Sequence, residues 1–211
     1  MKTILFQGDS ITDCGRVYDA VNYNTPAQLG RGYAALAAAR LLLDAPGAYT
    51  VINKGISGNR VTDLFARWKI DALNLKPDVI SILIGVNDVW HEISRQNGVD
   101  AKQFEQVYRM LLEWTREVLP SVKFLIMEPF ALPSDVVKDN FMPEVKERAA
   151  AARKIAGEFN AIFLPLQDKL DAAAKLMPNE YWLYDGVHPA PAGNQLIADA
   201  WLEAAKPLLE K

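Results

Sequence analysis

Ser10 stands in Gly8-Asp9-Ser10-Ile11, directly after the first apolar run of the chain, and His188 stands in Asp185-Gly186-Val187-His188-Pro189 near its end. A serine hydroxyl becomes a nucleophile when an imidazole takes its proton, and the imidazole needs an acid to fix its tautomer and stabilise the imidazolium. The two segments supply all three groups. Asp185 and His188 are three residues apart, near enough for the carboxylate to reach Nδ1 if the segment turns, and Pro189 biases His188 away from helical backbone. Each group alone has a plainer use, since serines cap helical turns and an Asp-x-x-His also caps helix starts.

The competing groups are few. The chain has two histidines, so the rival base is His91, which follows Asn87-Asp88-Val89-Trp90 and has Glu92 beside it but no acid in a comparable turn. It reads as a substrate contact or a surface residue. Gly55-Ile56-Ser57-Gly58 approaches the Gly-x-Ser-x-Gly nucleophile elbow, but position 59 is Asn and the motif fails. Cys14, the single cysteine, has no partnered base nearby in sequence and reads as a packed thiol. Walker-type, Gly-x-Gly-x-x-Gly and His-Glu-x-x-His patterns are missing, and Asp9 and Asp13 do not complete a calcium loop, so neither metal nor cofactor is expected.

These groups need a scaffold. With 211 residues, half of them apolar, the chain can bury a sizeable core as one domain over 1–211. Short aliphatic runs alternate with segments of helical period, the pattern of βαβ units around a parallel sheet buried on both faces. Strands are expected at Thr3 to Gln7, Tyr49 to Asn53, Val79 to Ile84, Lys123 to Met127 and Ala161 to Leu164. Helices are expected at Gly32 to Leu43, Thr62 to Asn74, Ala101 to Val118, Pro143 to Phe159, Gln167 to Lys175 and Ala192 to Leu209. The result is a three-layer α/β/α sandwich on a five-stranded parallel sheet. Ligands of open α/β sheets bind beyond the carboxyl ends of the strands, which puts Gly8-Asp9-Ser10, Lys54 to Asn59 and Gly85 to Asp88 on one rim.

With Asp185 to Pro189, these loops resemble the four blocks of the SGNH hydrolases, or GDSL esterases, in the same order and over nearly the whole chain. The resemblance implies a flavodoxin-like SGNH fold. It implies Ser10 as nucleophile, Asp185 and His188 as its partners, and the Ser10 amide, Gly58 and Asn87 as the oxyanion hole. A glycine lets backbone approach an oxyanion closely, and one such donor is worth roughly 3 kcal/mol. The stretches Gly8 to Arg16, Asn53 to Asn59 and Gly85 to Trp90 are further similar to SGNH acetylxylan esterases that act inside cells on acetylated xylo-oligosaccharides. That implies removal of O-acetyl groups from sugars, in an assembly of identical chains.

Trp90 and Tyr184 offer flat faces for a pyranose ring, while Asp9, His91 and Arg60 complete the expected substrate contacts. Either aromatic can equally serve the core, and Arg60 can pair with a surface acid. Two rivals remain: an esterase or thioesterase for acyl chains with the same triad, and a non-catalytic carbohydrate-binding protein on this fold. The net charge of -3 comes from interspersed acids and bases, which argues against nucleic acid and membrane partners. The longest apolar region, Ala34 to Leu43, falls far short of a membrane span. A lone cysteine points to a reducing compartment and so to the cytoplasm.

Overall fold

The computed structural model describes residues 1–138 and 140–209. Five strands form one parallel sheet: β1 (Lys2–Gly8), β2 (Tyr49–Asn53), β3 (Val79–Leu83), β4 (Lys123–Met127) and β5 (Ile162–Leu164), in the order β2-β1-β3-β4-β5. This is the doubly wound order of flavodoxin-like folds, whose strand order reverses at β1 and β3. β1 is central, and Ile4, Leu5 and Phe6 are completely buried.

Strand residues alternate between two cores. Ile4, Phe6, Val79, Leu83, Leu125 and Met127 face one, and Leu5, Ile52, Ile80, Ile82, Phe124 and Ile126 face the other. A sheet covered on both faces needs apolar side chains in both phases of the period, which is why the strands read as continuous aliphatic runs. The first core is closed by α3 (Tyr33–Asp44) and α10 (Pro191–Leu209), and the second by α4 (Val61–Asp71) and α6 (Ala101–Val118). Ser81 breaks the apolar run of β3, and its hydroxyl accepts from the indole of Trp201 on α10 at 2.8 Å, so this buried polar atom is satisfied. None of the helices among the described residues is long and apolar enough to cross a membrane.

The expected elements are present, most within two residues of the expected ends. The helix expected to run to Asn74 instead ends at Asp71 and is followed by a 3₁₀ turn over Leu73–Leu75. The main addition is α5 (Val86–Arg95), where a loop was expected around Asn87. Short helices also form at α1 (Ser10–Asp13), α2 (Pro26–Leu29) and α9 (Asn179–Trp182), while α7 (Phe141–Glu158) and α8 (Gln167–Ala173) fall where helices were expected.

Candidate active site

The carboxyl end of β1 makes an abrupt turn. A Cβ at Gly8 would lie 2.3 Å from Thr12 Oγ1 and 2.4 Å from the Leu83 carbonyl, so only glycine fits there. Asp9 then caps α1, its Oδ1 accepting from the Ile11 N–H at 3.0 Å. Ser10 is thereby the first residue of a helical turn at the end of a central strand, with its side chain on the rim.

The second segment is held by its own acid. Asp185 Oδ1 accepts from the backbone N–H of Val187 at 3.0 Å and of His188 at 2.7 Å, while Oδ2 lies 2.7 Å from His188 Nδ1. Burial opposes ionisation of Asp185, but the His188 backbone and ring and the Val187 N–H together hold its carboxyl below the usual range. An ionised carboxylate only accepts, so Nδ1 carries the proton and Nε2 is left as an acceptor. Ser10 Oγ is 2.8 Å from that Nε2. Gly186, at φ +87°, permits the turn, and a Cβ there would strike Ser134 Oγ and the Leu132 carbonyl at 2.4 and 2.5 Å. Ser134, which the sequence did not single out, donates to the Asp185 carbonyl at 2.6 Å. Tyr184 stacks on the imidazole at 5.7 Å between ring centres and Trp90 lies beside it at 5.8 Å, so the ring is also fixed by packing.

The loop after β2 is fastened to the turn that carries Ser10. Ile56 N–H donates to the Gly8 carbonyl, and the Ser57 N–H and hydroxyl both donate to Asp13 Oδ2, at 3.0 and 2.7 Å. Burial opposes ionisation of Asp13, but Tyr18 and Ser57 hold its carboxyl low. Gly58, at φ +81°, has open space where a Cβ would be. Asn87 Nδ2 donates to the Asn59 carbonyl at 3.1 Å, which orients the amide and leaves its second N–H for another acceptor. Gly58, Asn87 and Ser10 all line one cleft.

Arg67 ties these loops together from beneath. It donates through Nε to Asn59 Oδ1 at 2.7 Å, through Nη2 to the Gly8 carbonyl at 3.3 Å, and pairs through Nη1 with Asp71 at 3.1 Å. A single fork therefore spans the nucleophile turn and the residue that orients Asn87. Arg67→Met is expected to lower kcat for a soluble acetate ester by about a hundredfold, the usual cost of displacing reacting groups by an ångström, with a much smaller change in KM. A change confined to KM would show that Arg67 does not position the reacting groups.

The cleft measures about 1140 Å³. Of the expected substrate contacts, Trp90, His91 and Tyr184 line it. Two others do not. Asp9 is 1 % exposed and lies under Ser10 as the α1 cap, which corrects its assignment as a substrate contact. Arg60 is drawn off by Asp63, which takes Nε and Nη2 at 2.9 and 3.0 Å, and by Asn97, so it too is corrected to a structural ion pair. His91, next to Trp90 on α5, has Arg95 at 2.9 Å from Nε2, and burial together with the charges of Arg95 and Arg60 pushes its pKa down. Among the described residues it has no acid partner like that of His188. Cys14 is half-buried on the cleft wall, and burial pushes its thiol up, away from a reactive thiolate.

Residues 6–196 match the GDSL-like lipase/acylhydrolase family. The chain belongs to that family. It is 34% identical over 206 residues to an acetylxylan esterase of Geobacillus stearothermophilus, covering 95% of this chain and 92% of that one. The crystal structure of that esterase superposes with a TM-score of 0.86 at 33% identity, over 97% of this chain and 94% of the other. A protein of Parabacteroides merdae described as a GDSL-like lipase superposes with a TM-score of 0.94 at 45% identity, over 99% and 96% of the two chains. Catalytic mutants of the Geobacillus esterase replace a serine, an aspartate and a histidine, the last two three residues apart as Asp185 and His188 are. By family and relatives, this chain is a serine carboxylic-ester hydrolase of the acylhydrolase family.

Proposed function

We propose that this esterase removes O-acetyl groups from short acetylated xylo-oligosaccharides through an acyl-enzyme on Ser10. The observation that carries the reading is the line from Ser10 Oγ to His188 Nε2 and from Nδ1 to Asp185, at 2.8 and 2.7 Å, on the wall of an open cleft. Ser10 attacks the ester carbonyl as His188 takes its proton. The oxyanion develops against the Ser10 and Gly58 amides and the free N–H of Asn87. His188 returns the proton to the leaving sugar hydroxyl, and water cleaves the acetyl-enzyme by the same steps in reverse order. Asp185 holds the ring throughout and stays ionised across the neutral range, because its hydrogen bonds lower its pKa.

The cleft walls favour a sugar over an acyl chain. Trp90 and Tyr184 both lie against the imidazole, and Ser94, Asn194 and Gln195 add hydrogen-bonding groups. Among the described residues, the branched aliphatic side chains lining the cleft are Ile11 and Leu36, too few for a continuous greasy groove. The family resemblance adds assembly of identical chains to the reading, and a single cysteine suits the reducing cytoplasm.

Acetate released from acetylated xylo-oligosaccharides, with p-nitrophenyl octanoate run in parallel, tests the assignment. Rapid acetate release with little octanoate cleavage is expected. Strong octanoate turnover without acetate release would move the enzyme to acyl-chain substrates.

A further inference from the structure

The wall formed by α5 is a stripe. Asn87, Trp90, His91, Ser94 and Arg95 recur at helical spacing and all line the cleft. At 1.5 Å per residue the stripe runs about 12 Å from Asn87 to Arg95, so the cleft extends well beyond an acetyl group. Arg31 lies on another wall, immediately before α3, which packs on α10.

These two arginines differ from most of the others. Arg40, Arg60, Arg67, Arg109 and Arg148 each form an ion pair with a carboxylate. Arg31 is exposed, and its guanidinium has no hydrogen bond or ion pair with a described residue; it lies over Gly15, where a Cβ would be 3.1 Å from Nη2. Arg95 contacts His91 Nε2 at 2.9 Å, an acceptor that carries no negative charge. Among the described residues, no aspartate or glutamate lines the cleft, although acids outnumber bases in the chain, 26 to 23. The charged side chains that line the cleft are thus both cationic, opposite in sign to the molecule as a whole, and the Asp185 carboxylate nearby is taken up by His188.

We propose that the preferred substrate is an acetylated oligosaccharide bearing a carboxylate, a uronate-substituted fragment, recognised by Arg31 and Arg95. This rests on the esterase reading above and narrows its substrate class. A neutral sugar gives a guanidinium only hydroxyls to bind. A uronate gives it a planar acceptor with two oxygens, matched to its paired N–H groups, and such charge-assisted bonds are about twice as strong as neutral ones. Positive potential in a concave, partly dehydrated site also concentrates anionic ligands there.

The test is calorimetric binding to Ser10→Ala, whose turnover is too slow to consume ligand during the titration, of an acetylated xylotetraose with and without a glucuronic acid branch. The branched ligand is expected to bind roughly tenfold tighter at low salt, the worth of one good charged contact. High salt should shrink that ratio, and Arg31→Gln with Arg95→Gln should bring it close to one. Equal affinities for the two ligands, or a preference that survives salt and both substitutions, would overturn the proposal. Hydrolysis of p-nitrophenyl acetate by the unsubstituted chain is read separately. Its absence would sink the esterase reading and leave the binding comparison intact.

Discussion

Ser10→Ala will lower kcat on an acetate ester by roughly 10⁵-fold to 10⁶-fold, the loss found when a triad nucleophile is removed. The fold should be untouched, because Ser10 Oγ bonds to His188 and the cap of α1 is made by Asp9. His188→Ala is expected to cost about as much, and the double variant scarcely more, since groups that act as one unit do not add. A residual rate from the oxyanion donors and substrate binding should remain above that in water. His91→Ala is the control with discriminating power. It removes the other histidine, which lines the same cleft but faces Arg95 in place of an acid, and should leave kcat within about tenfold. If His91→Ala abolished turnover while His188→Ala kept it, the geometry around Ser10 would have been misread.

Most of the triad and its frame could be read from residue order because the controlling effects are local. A carboxylate three residues before a histidine, followed by proline, folds back on itself with its own backbone amides, as Asp185 does with Val187 and His188. β2, β4 and α6 fall on their expected residues because buried parallel strands are short aliphatic runs and α6 keeps a clear 3.6-residue period over 18 residues. α5 escaped for an equally local reason. Gly85 has φ +133° and precedes Val86-Asn87-Asp88, whose residue types serve turns as readily as a helix's first turn.

What could not be read depends on long-range contacts. Ser134 lies 51 positions from Asp185 and Arg67 lies 59 from Gly8, and nothing in their neighbours in sequence marks either as part of the site. Asp9 shows the same limit from the other side. Next to the nucleophile in sequence it looked available to substrate, yet the turn at Gly8 sends its carboxylate into the protein. Arg60 was open to either use, and the position of Asn97 at 2.8 Å from Nη1 helped decide it.

The buried position of Asp9 has a large consequence for stability. Asp9 and Asp88 are 1 % and 0 % exposed, and among the described residues neither meets a cationic side chain in an ion pair. Asp9 Oδ1 accepts from Ile11 and its Oδ2 has no partner among the described residues, while both oxygens of Asp88 accept the Val61 N–H, at 3.1 and 3.3 Å. Burial therefore outweighs these bonds and pushes each carboxyl up from 3.8 to about 7, with the charge of Asp9 raising Asp88 further. Between about pH 4 and 7 the native state holds protons that the unfolded chain has released. The contribution of these two carboxyls to the unfolding free energy then falls as pH rises through that window and levels off above it, against a smaller opposite term from His91, whose pKa is pushed down. A rise of about three units, at about 1.4 kcal/mol each, sets the loss per carboxyl on the order of 4 kcal/mol at most, and the two are coupled and will not add. Asp9→Asn keeps an acceptor for the Ile11 N–H but cannot ionise. It should raise the urea midpoint clearly at pH 8, change it little at pH 5, and flatten the decline between them. Asp88→Asn should act in the same direction. Urea unfolding of both variants across that range decides the matter: a loss of stability equal at every pH would mean that the amide disrupts packing and that the buried carboxyls carry no pH-dependent cost. A gain at pH 8 accompanied by slower turnover would instead show that charge beneath Ser10 and His188 assists the imidazolium formed during attack, at the expense of stability.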